Sequence, residues 1–228
     1  QYREPAPMHG YCYNTIKTQA SVANTYGRSR VGAEAFTGSR GWGDHPWLLK
    51  NAGDEAFAEG INHYIYHLSA HQAYDHMVPG LTHRRWGQHI HRHQTWWEFA
   101  KPYFDYVARS QVLLRQGRTV TDVAVLFKEG APIYTMGGDV SFPFPKGYDF
   151  DYCTSEIVRQ MEFKDGRIHL PSGASYRYLA LPADGRLTLE TAQKVESLRK
   201  AGAAIYQQKP IQGTPGLSGY PEADRTVK

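Results

Sequence analysis

Short apolar strands alternate with helices between residues 15 and 114, and this order restricts the first half of the chain to a parallel α/β fold. The predicted elements are a helix at 15–29, a strand at 30–36, a helix at 45–60, a strand at 61–67 and a helix at 95–114. Pro46 lies near the start of the second helix and Gly60 marks its end. Strands that are joined through helices pair in parallel, so the pattern predicts two β/α units.

A different pattern begins after Gly117. The stretch 120–127 is an almost continuous apolar run, which is typical of a strand buried on both faces. The further predicted elements are a Gly/Pro/Phe-rich loop at 128–147, a short helix at 153–160, a hairpin at 161–170 with Asp165-Gly166 as its turn, strands at 176–182 and 203–207, a helix at 189–200 with Thr188 as its N-cap, and a tail at 211–228 without a regular element. This order favours an open parallel sheet of flavodoxin-like type and places a domain boundary near residue 117.

Neither predicted domain has the usual number of strands. Three parallel strands fall short of the about five of a complete doubly wound domain, and two β/α units cannot close a barrel of eight. We therefore expect both domains, 1–117 and 118–228, to be incomplete and the chain to be a fragment of a larger protein. It opens on Gln1 without a visible signal peptide, which fits a mature chain or an excised piece.

The composition limits the classes of partner. Apolar residues make up 41% of the chain, yet no run is long enough to span a bilayer. The net charge is +4 and the basic residues are scattered, so a solvated surface is favoured over nucleic-acid binding. Two distant cysteines, Cys12 and Cys153, fit no metal motif, and two unpaired buried thiols are favoured over a disulfide.

Glu34 is the carboxylate with the most specific setting. It lies near the end of the short apolar strand 30–36, and a Gly/Trp-rich loop that carries Trp42 follows it. A carboxylate at the carboxyl end of a buried parallel strand can act as a general base or a nucleophile. The alternative is a structural ion pair with a nearby arginine, for which Arg28, Arg30 and Arg40 are candidates.

Histidines concentrate around the second strand. Eight of the 11 lie between residues 63 and 93, and His63 and His67 point the same way on the predicted strand. The sequence His89-Ile-His91-Arg92-His93 alternates, and two histidines in this spacing can bind zinc. No carboxylate is spaced to complete such a site, so loop hydrogen bonds and ligand contacts are favoured over a metal centre.

The long polar loop 69–94 is the third candidate region. It exceeds the ordinary length of a connection, and such loops tend to be functional. It supplies Trp86 to whatever binds above the sheet, and the Trp96-Trp97 pair that follows is either a stacking wall or part of the core. Further along the chain, Asp149 and Asp151 form a pair that suggests a metal site or, preferably, a helix cap.

A series of short motifs resembles glycoside hydrolase family 106, the large bacterial α-L-rhamnosidases, from about residue 10 to the end of the chain. The motifs occur in this order: Ala33-Glu-Ala-Phe-Thr37, Gly53-Asp-Glu-Ala-Phe57, Gly60-Ile-Asn-His-Tyr-Ile-Tyr-His67, Pro79-Gly80, Trp86-Gly87, Thr95-Trp-Trp97 and Gly147-Tyr-Asp-Phe-Asp-Tyr-Cys153. Each is weak alone, and the ordered series is fairly specific.

The resemblance implies a (β/α)8 catalytic barrel, an inverting mechanism, calcium dependence and a periplasmic or extracellular location. Counted back from residue 117, the strands at 30–36 and 61–67 become barrel strands seven and eight, which makes Glu34 the general base. The general acid is then expected upstream of Gln1, in the missing part of the barrel, and the isolated chain is expected to be inactive. His67, Trp86, Trp42, His63 and Arg92 are the predicted substrate contacts.

Two other functions are weighed against this one. A non-catalytic carbohydrate-binding or scaffold segment of a larger glycosidase is the main alternative, since the general acid is missing. A metal hydrolase built on the histidines is the weakest.

Overall fold

The computed structural model describes residues 10–38, 41–130 and 147–228 and shows a mixed α/β protein with parallel sheets. These residues divide into two compact units, of which the first comprises Arg30–Gly117 and the second comprises Gly10–Ser29 together with Arg118–Lys228. Helix α1 (Gly10–Thr25) therefore belongs to the second unit. The predicted domain 1–117 included this helix, whereas the contacts of the described residues assign it to the second unit.

The first unit contains two parallel strands and two helices. Its elements are β1 (Gly32–Ala35), α2 (Pro46–Ala58), β2 (His63–Tyr66) and α3 (Lys101–Leu114), with single 3-10 turns at Gly41–Gly43 and Trp97–Phe99. Gly32 lies opposite His63, and Ala35 lies opposite Tyr66. The helix predicted at 95–114 is divided, because its first residues form the 3-10 turn and α3 begins beside Pro102.

The helices pack on one face of this small sheet. Tyr64 stacks on Phe57 of α2, with ring centroids 4.7 Å apart, and Tyr66 meets Phe104 of α3 edge-on at 5.5 Å. Side chains alternate along a strand, so Glu34 and its partner Ile65 lie on the opposite face. The described residues leave that face open, and Ile65 is 57% exposed there.

The second unit has a four-stranded parallel sheet and a three-stranded antiparallel one. The parallel sheet comprises β3 (Val123–Leu126), β4 (Phe150–Cys153), β8 (Tyr178–Ala180) and β9 (Ala204–Tyr206) in the order β4-β3-β8-β9, and the antiparallel sheet comprises β5 (Glu162–Lys164), β6 (Arg167–His169) and β7 (Ser175–Tyr176). Helices α4 (Ser155–Arg159), α5 (Leu189–Lys200) and α6 (Glu222–Val227) complete the unit. Asp165 and Gly166 both have positive φ, as the predicted tight hairpin turn requires.

Strand β4 and helix α6 differ from the sequence prediction. Residues 211–228 were expected to lack a regular element, and Asp149 and Asp151 were expected to cap a helix. Asp151 instead lies buried in β4, where it accepts hydrogen bonds from Asn24 of α1, Thr121 and Tyr176. These contacts explain why α1 packs on β4.

Two further predictions concern the loop at 128–147 and the cysteines. The predicted loop falls almost entirely outside the described residues, as does the side chain of Cys12. Cys153 is buried and free. Within the described ranges, no helix has the length and apolar character needed to cross a bilayer.

Candidate active site at the carboxyl ends of β1 and β2

Glu34 lies on the open face of β1, one residue before the carboxyl end of the strand. Its side chain is exposed, and Oε1 accepts a hydrogen bond of 3.1 Å from the hydroxyl of Thr37. No basic residue of the described part forms an ion pair with Glu34, so a pair with Arg28 or Arg30 finds no support. Arg40, the third candidate, lies outside the described residues. The carboxylate faces the side of the sheet that carries no helix.

The chain leaves β1 through an unusual backbone conformation at Phe36. This residue has a φ of 64°, which is rare for a bulky side chain and costs about 1–3 kcal/mol. Its ring stacks on Tyr66, with centroids 5.2 Å apart, and meets Tyr64 edge-on at 5.3 Å. The aromatic contacts with β2 thus hold the strained residue that precedes Thr37.

Gln88 joins the ends of both strands to the loop that contains Asp44. It is 2% exposed, and its Nε2 donates to the carbonyl of Phe36 at 2.7 Å and to Asp44 Oδ2 at 3.0 Å. Its backbone N–H donates to the carbonyl of His67 at 3.1 Å. Gln88 and Asp44 were not predicted from the sequence, because each stands alone in a loop and no spacing relates them.

Gly87 allows the loop after β2 to approach these strand ends closely. Its φ is 87°, and a Cβ atom at this position would lie 2.8 Å from the carbonyl oxygen of His67. Its N–H donates to the carbonyl of Gly38 at 3.0 Å. Only glycine fits both the backbone conformation and the contact.

Two of the histidines form a buried wall behind Trp42. The rings of His89 and His91 are buried and lie 4.8 Å and 5.4 Å from the Trp42 ring, centroid to centroid. Burial lowers the pKa of both imidazoles, and neighbouring positive charge adds to this for His91. Both rings thus pack against a tryptophan that is itself partly exposed.

The other predicted contacts separate into two groups. His67 follows β2 at the carboxyl end, donates its N–H to the carbonyl of Ala35 and meets His83 edge-on. Trp86 is partly exposed beneath the guanidinium of Arg85, which lies 4.8 Å from the ring. These residues remain candidates for ligand contacts.

His63 and Arg92 have other surroundings. His63 lies at the amino end of β2, opposite to His67, and its Nδ1 contacts Arg115 at 3.1 Å. Arg92 pairs with Asp75 at 2.6 Å and donates to the carbonyl of Gln72 at 2.9 Å. The geometry does not bring His63 to the other candidates, and it gives Arg92 a role in bracing the long loop.

Metal ligands do not assemble in the described residues. No group of three or more His, Cys, Asp or Glu side chains within them could hold a metal ion. The zinc alternative for the histidines therefore finds no support in the described residues. Calcium takes about six to eight oxygen ligands, and the described Asp and Glu side chains do not form a cluster that would begin such a set. The described residues therefore support no catalytic step through that ion.

Comparisons with known proteins agree with the resemblance in the motifs. A family model described as Glyco_hydro_106, alpha-L-rhamnosidase, matches residues 3–227. A relative from Formosa agariphila named "Putative beta-glucuronidase" is 39% identical over 220 residues, which is 95% of this chain and 18% of the relative. A solved rhamnosidase from Novosphingobium sp. PP1Y superimposes with a TM-score of 0.88 at 32% identity, over 99% of this chain and 22% of that structure.

The chain thus spans about a fifth of the length of the relatives that it matches. The family model matches residues 3–227, and the superposition on the solved rhamnosidase covers 99% of this chain. The chain therefore belongs to glycoside hydrolase family 106, the alpha-L-rhamnosidase family.

Proposed function

We propose that this chain supplies the general base, Glu34, of an inverting α-L-rhamnosidase-like glycoside hydrolase. The observation that carries the proposal is the position of this carboxylate. Glu34 lies at the carboxyl end of a parallel strand, on the face opposite the helices, without a basic partner among the described residues. Such a position suits a group that meets substrate and water rather than one that stabilises the fold.

The open face of β1 and β2 supports a barrel as the complete architecture. In a (β/α)8 barrel the helices cover the outer face of each strand, and the inner face points to the barrel interior. Tyr64 and Tyr66 pack on helices, whereas Glu34 and Ile65 point away from them. We propose β1 and β2 as the last two strands of such a barrel, with the others outside this chain.

The second unit fits an incomplete flavodoxin-like domain. Numbered along the chain, its parallel strands have the order 2-1-3-4. This is the order of the first four strands in a flavodoxin-like sheet, whose fifth strand has no counterpart among the described residues.

The proposed reaction uses Glu34 to activate water. Its carboxylate takes a proton from a water molecule while the water oxygen attacks the anomeric carbon from the face opposite the leaving group. A carboxylic acid elsewhere in the barrel, about 6.5–9.5 Å away, protonates the glycosidic oxygen as that bond breaks. The sugar leaves with inverted configuration while Glu34 is protonated and the acid is ionised. Proton exchange with solvent then restores both carboxyl groups before the next turnover.

Trp42, Trp86 and His67 are the proposed sugar contacts, because they lie in or beside the loops at the carboxyl ends of the strands. An aromatic ring stacks on the C–H face of a sugar, and Trp42 is already supported from behind by His89 and His91. Calcium is retained only as a proposal for the complete enzyme, with ligands outside the described residues. A periplasmic or extracellular location is proposed with it.

The two relatives carry different sugar names, a rhamnosidase and a glucuronidase. We propose L-rhamnose in plant polysaccharides or glycosides as the substrate, following the family model and the solved structure. The full-length enzyme should be assayed on aryl α-L-rhamnosides and aryl β-glucuronides side by side, with NMR of the anomer that is released first. Cleavage of the glucuronide alone would overturn the choice of sugar, and release of the retained anomer would overturn the inverting mechanism.

Glu34→Gln tests the proposed base in the same enzyme. General base catalysis contributes about 10²- to 10⁴-fold, so kcat should fall by that factor while KM changes little. Glu55→Gln, on helix α2 and away from the open face, is the matched control and should retain the wild-type kcat. A wild-type kcat for Glu34→Gln would refute the proposal and favour a non-catalytic, carbohydrate-binding segment.

A further inference from the structure

Thr37 is the only described side chain that donates a hydrogen bond to the proposed base. We infer that Thr37 is a positioning residue for Glu34, and that Gln88 and Asp44 hold Thr37 in place. The inference rests on the proposed role of Glu34 and adds the residues through which the fold controls that carboxylate. Thr37 ends the motif Ala33-Glu-Ala-Phe-Thr37, whereas no motif or charge pattern in the sequence marks Gln88 or Asp44.

The backbone on both sides of Thr37 is anchored. The carbonyl of Phe36 accepts a hydrogen bond from the buried Gln88 side chain at 2.7 Å, and the carbonyl of Gly38 accepts one from the N–H of Gly87 at 3.0 Å. Because both neighbouring carbonyls are fixed, the backbone of Thr37 has little freedom to rotate. From this anchored backbone the Thr37 hydroxyl donates to Glu34 Oε1, 3.1 Å away.

Only one orientation of the Gln88 side-chain amide serves both of the acceptors beside it. Both of its contacts, the carbonyl of Phe36 and the carboxylate of Asp44, are acceptors, so the NH₂ group must face them. Asp44 is also buried, and its backbone carbonyl accepts from the Trp96 indole at 2.9 Å. The pair is therefore a fixed support rather than a mobile surface contact.

The consequence for catalysis is geometric. A glutamate side chain has three rotatable bonds, and general base catalysis requires its oxygen within about 2.6–3.2 Å of the proton that it removes. A hydrogen bond to Oε1 restrains the carboxylate and leaves Oε2 for the attacking water. Without it, the base would spend most of its time in unproductive rotamers, which lowers kcat and leaves substrate binding unchanged.

Thr37→Val in the full-length enzyme tests this directly, because valine keeps the shape and removes the donor. We expect kcat to fall about tenfold, with KM within about twofold, and Thr37→Ser to restore most of the activity. Thr95→Val, at another exposed threonine of the same unit, is the matched control. Unfolding temperatures should agree among the three variants, since Thr37 is exposed.

A double-mutant cycle separates positioning from other effects. If Thr37 acts through Glu34, Thr37→Val should cause no further loss of kcat in the Glu34→Gln background. The same tenfold loss in both backgrounds would overturn the inference, as would wild-type activity of Thr37→Val. A wild-type kcat for Glu34→Gln alone would instead remove the proposed function, so the two failures are distinguishable.

Discussion

Replacing Tyr176 with phenylalanine should remove one hydrogen bond from the interior of the second unit and change little else. The Tyr176 hydroxyl donates to Asp151 Oδ2 at 3.1 Å, and both side chains are buried. The ring remains, so no cavity forms. A hydrogen bond to a charged group contributes about 1.5–3 kcal/mol, and Asn24 and Thr121 still donate to Asp151 in the variant. We therefore expect the free energy of unfolding to fall by an amount near the lower end of this range, about 1.5–2 kcal/mol.

This loss should depend on pH. Burial raises the pKa of Asp151 from its ordinary value of 3.8, although the neighbouring donors and Lys17 oppose the shift. Because a donor favours the ionised form, removing the Tyr176 hydroxyl should raise the pKa further. A carboxyl group with a raised pKa in the folded state contributes stability that is present below the unfolded value and is lost as pH rises through the folded value. Because the variant has the higher folded-state pKa, it loses more free energy of unfolding than the wild type as pH rises. The difference in free energy of unfolding between the two proteins should therefore be largest near neutral pH and should shrink as pH falls toward 4.

Native-state hydrogen exchange measured by mass spectrometry is the suitable assay. All five tryptophans lie in the first unit, so tryptophan fluorescence does not report on Asp151. Peptides that cover β4 and β8 should lose protection in Tyr176→Phe. They should keep it in Tyr178→Phe, because Tyr178 is 43% exposed. Equal protection in both variants at neutral pH would refute the reasoning, as would a loss that grows toward low pH.

Two further predictions concern stability. Glu129 accepts hydrogen bonds from the backbone and hydroxyl of Thr188 and from the hydroxyl of Thr191 at the start of α5, so Glu129→Ala should cost about 1–2 kcal/mol, seen as faster exchange in peptides from that helix. The lowered pKa of His89 and His91 should reduce the stability of the first unit as pH falls below their ordinary value of 6.5, which acid titration of tryptophan fluorescence would detect. Replacing both histidines with phenylalanine should flatten that titration, and an unchanged curve would contradict the assignment.

Local patterns in the sequence were sufficient to predict most elements of the first unit. The strands at 30–36 and 61–67 contain β1 and β2, and the helix at 45–60 contains α2. Glu34 could be singled out for the same reason, because its strand, its neighbours and its position at the strand end are all contiguous in the chain. Hydrophobic periodicity and helix end signals act over a few residues, and these features lie within that range.

Features that depend on distant residues could not be predicted in this way. β4 carries a buried aspartate, and only the donors Asn24, Thr121 and Tyr176, which come from three other segments, make that burial tolerable. Gln88 likewise becomes important only where the chain brings Asp44 and Phe36 to it. A single sequence shows the residue types, whereas the partners that give them a role are set by tertiary structure.

Helix α1 precedes the first unit in the sequence but packs in the second, and this order affects folding during synthesis. Asn24 of α1 and its partner Asp151 in β4 are separated by 127 residues, and the whole first unit is translated between them. At about 5–20 residues per second, α1 waits roughly 6 to 25 s for the strand on which it packs. During that time the apolar face with Ala20 and Ala23 is without its native cover. Translation that stops near residue 117 would leave this face of α1 without the strand on which it packs.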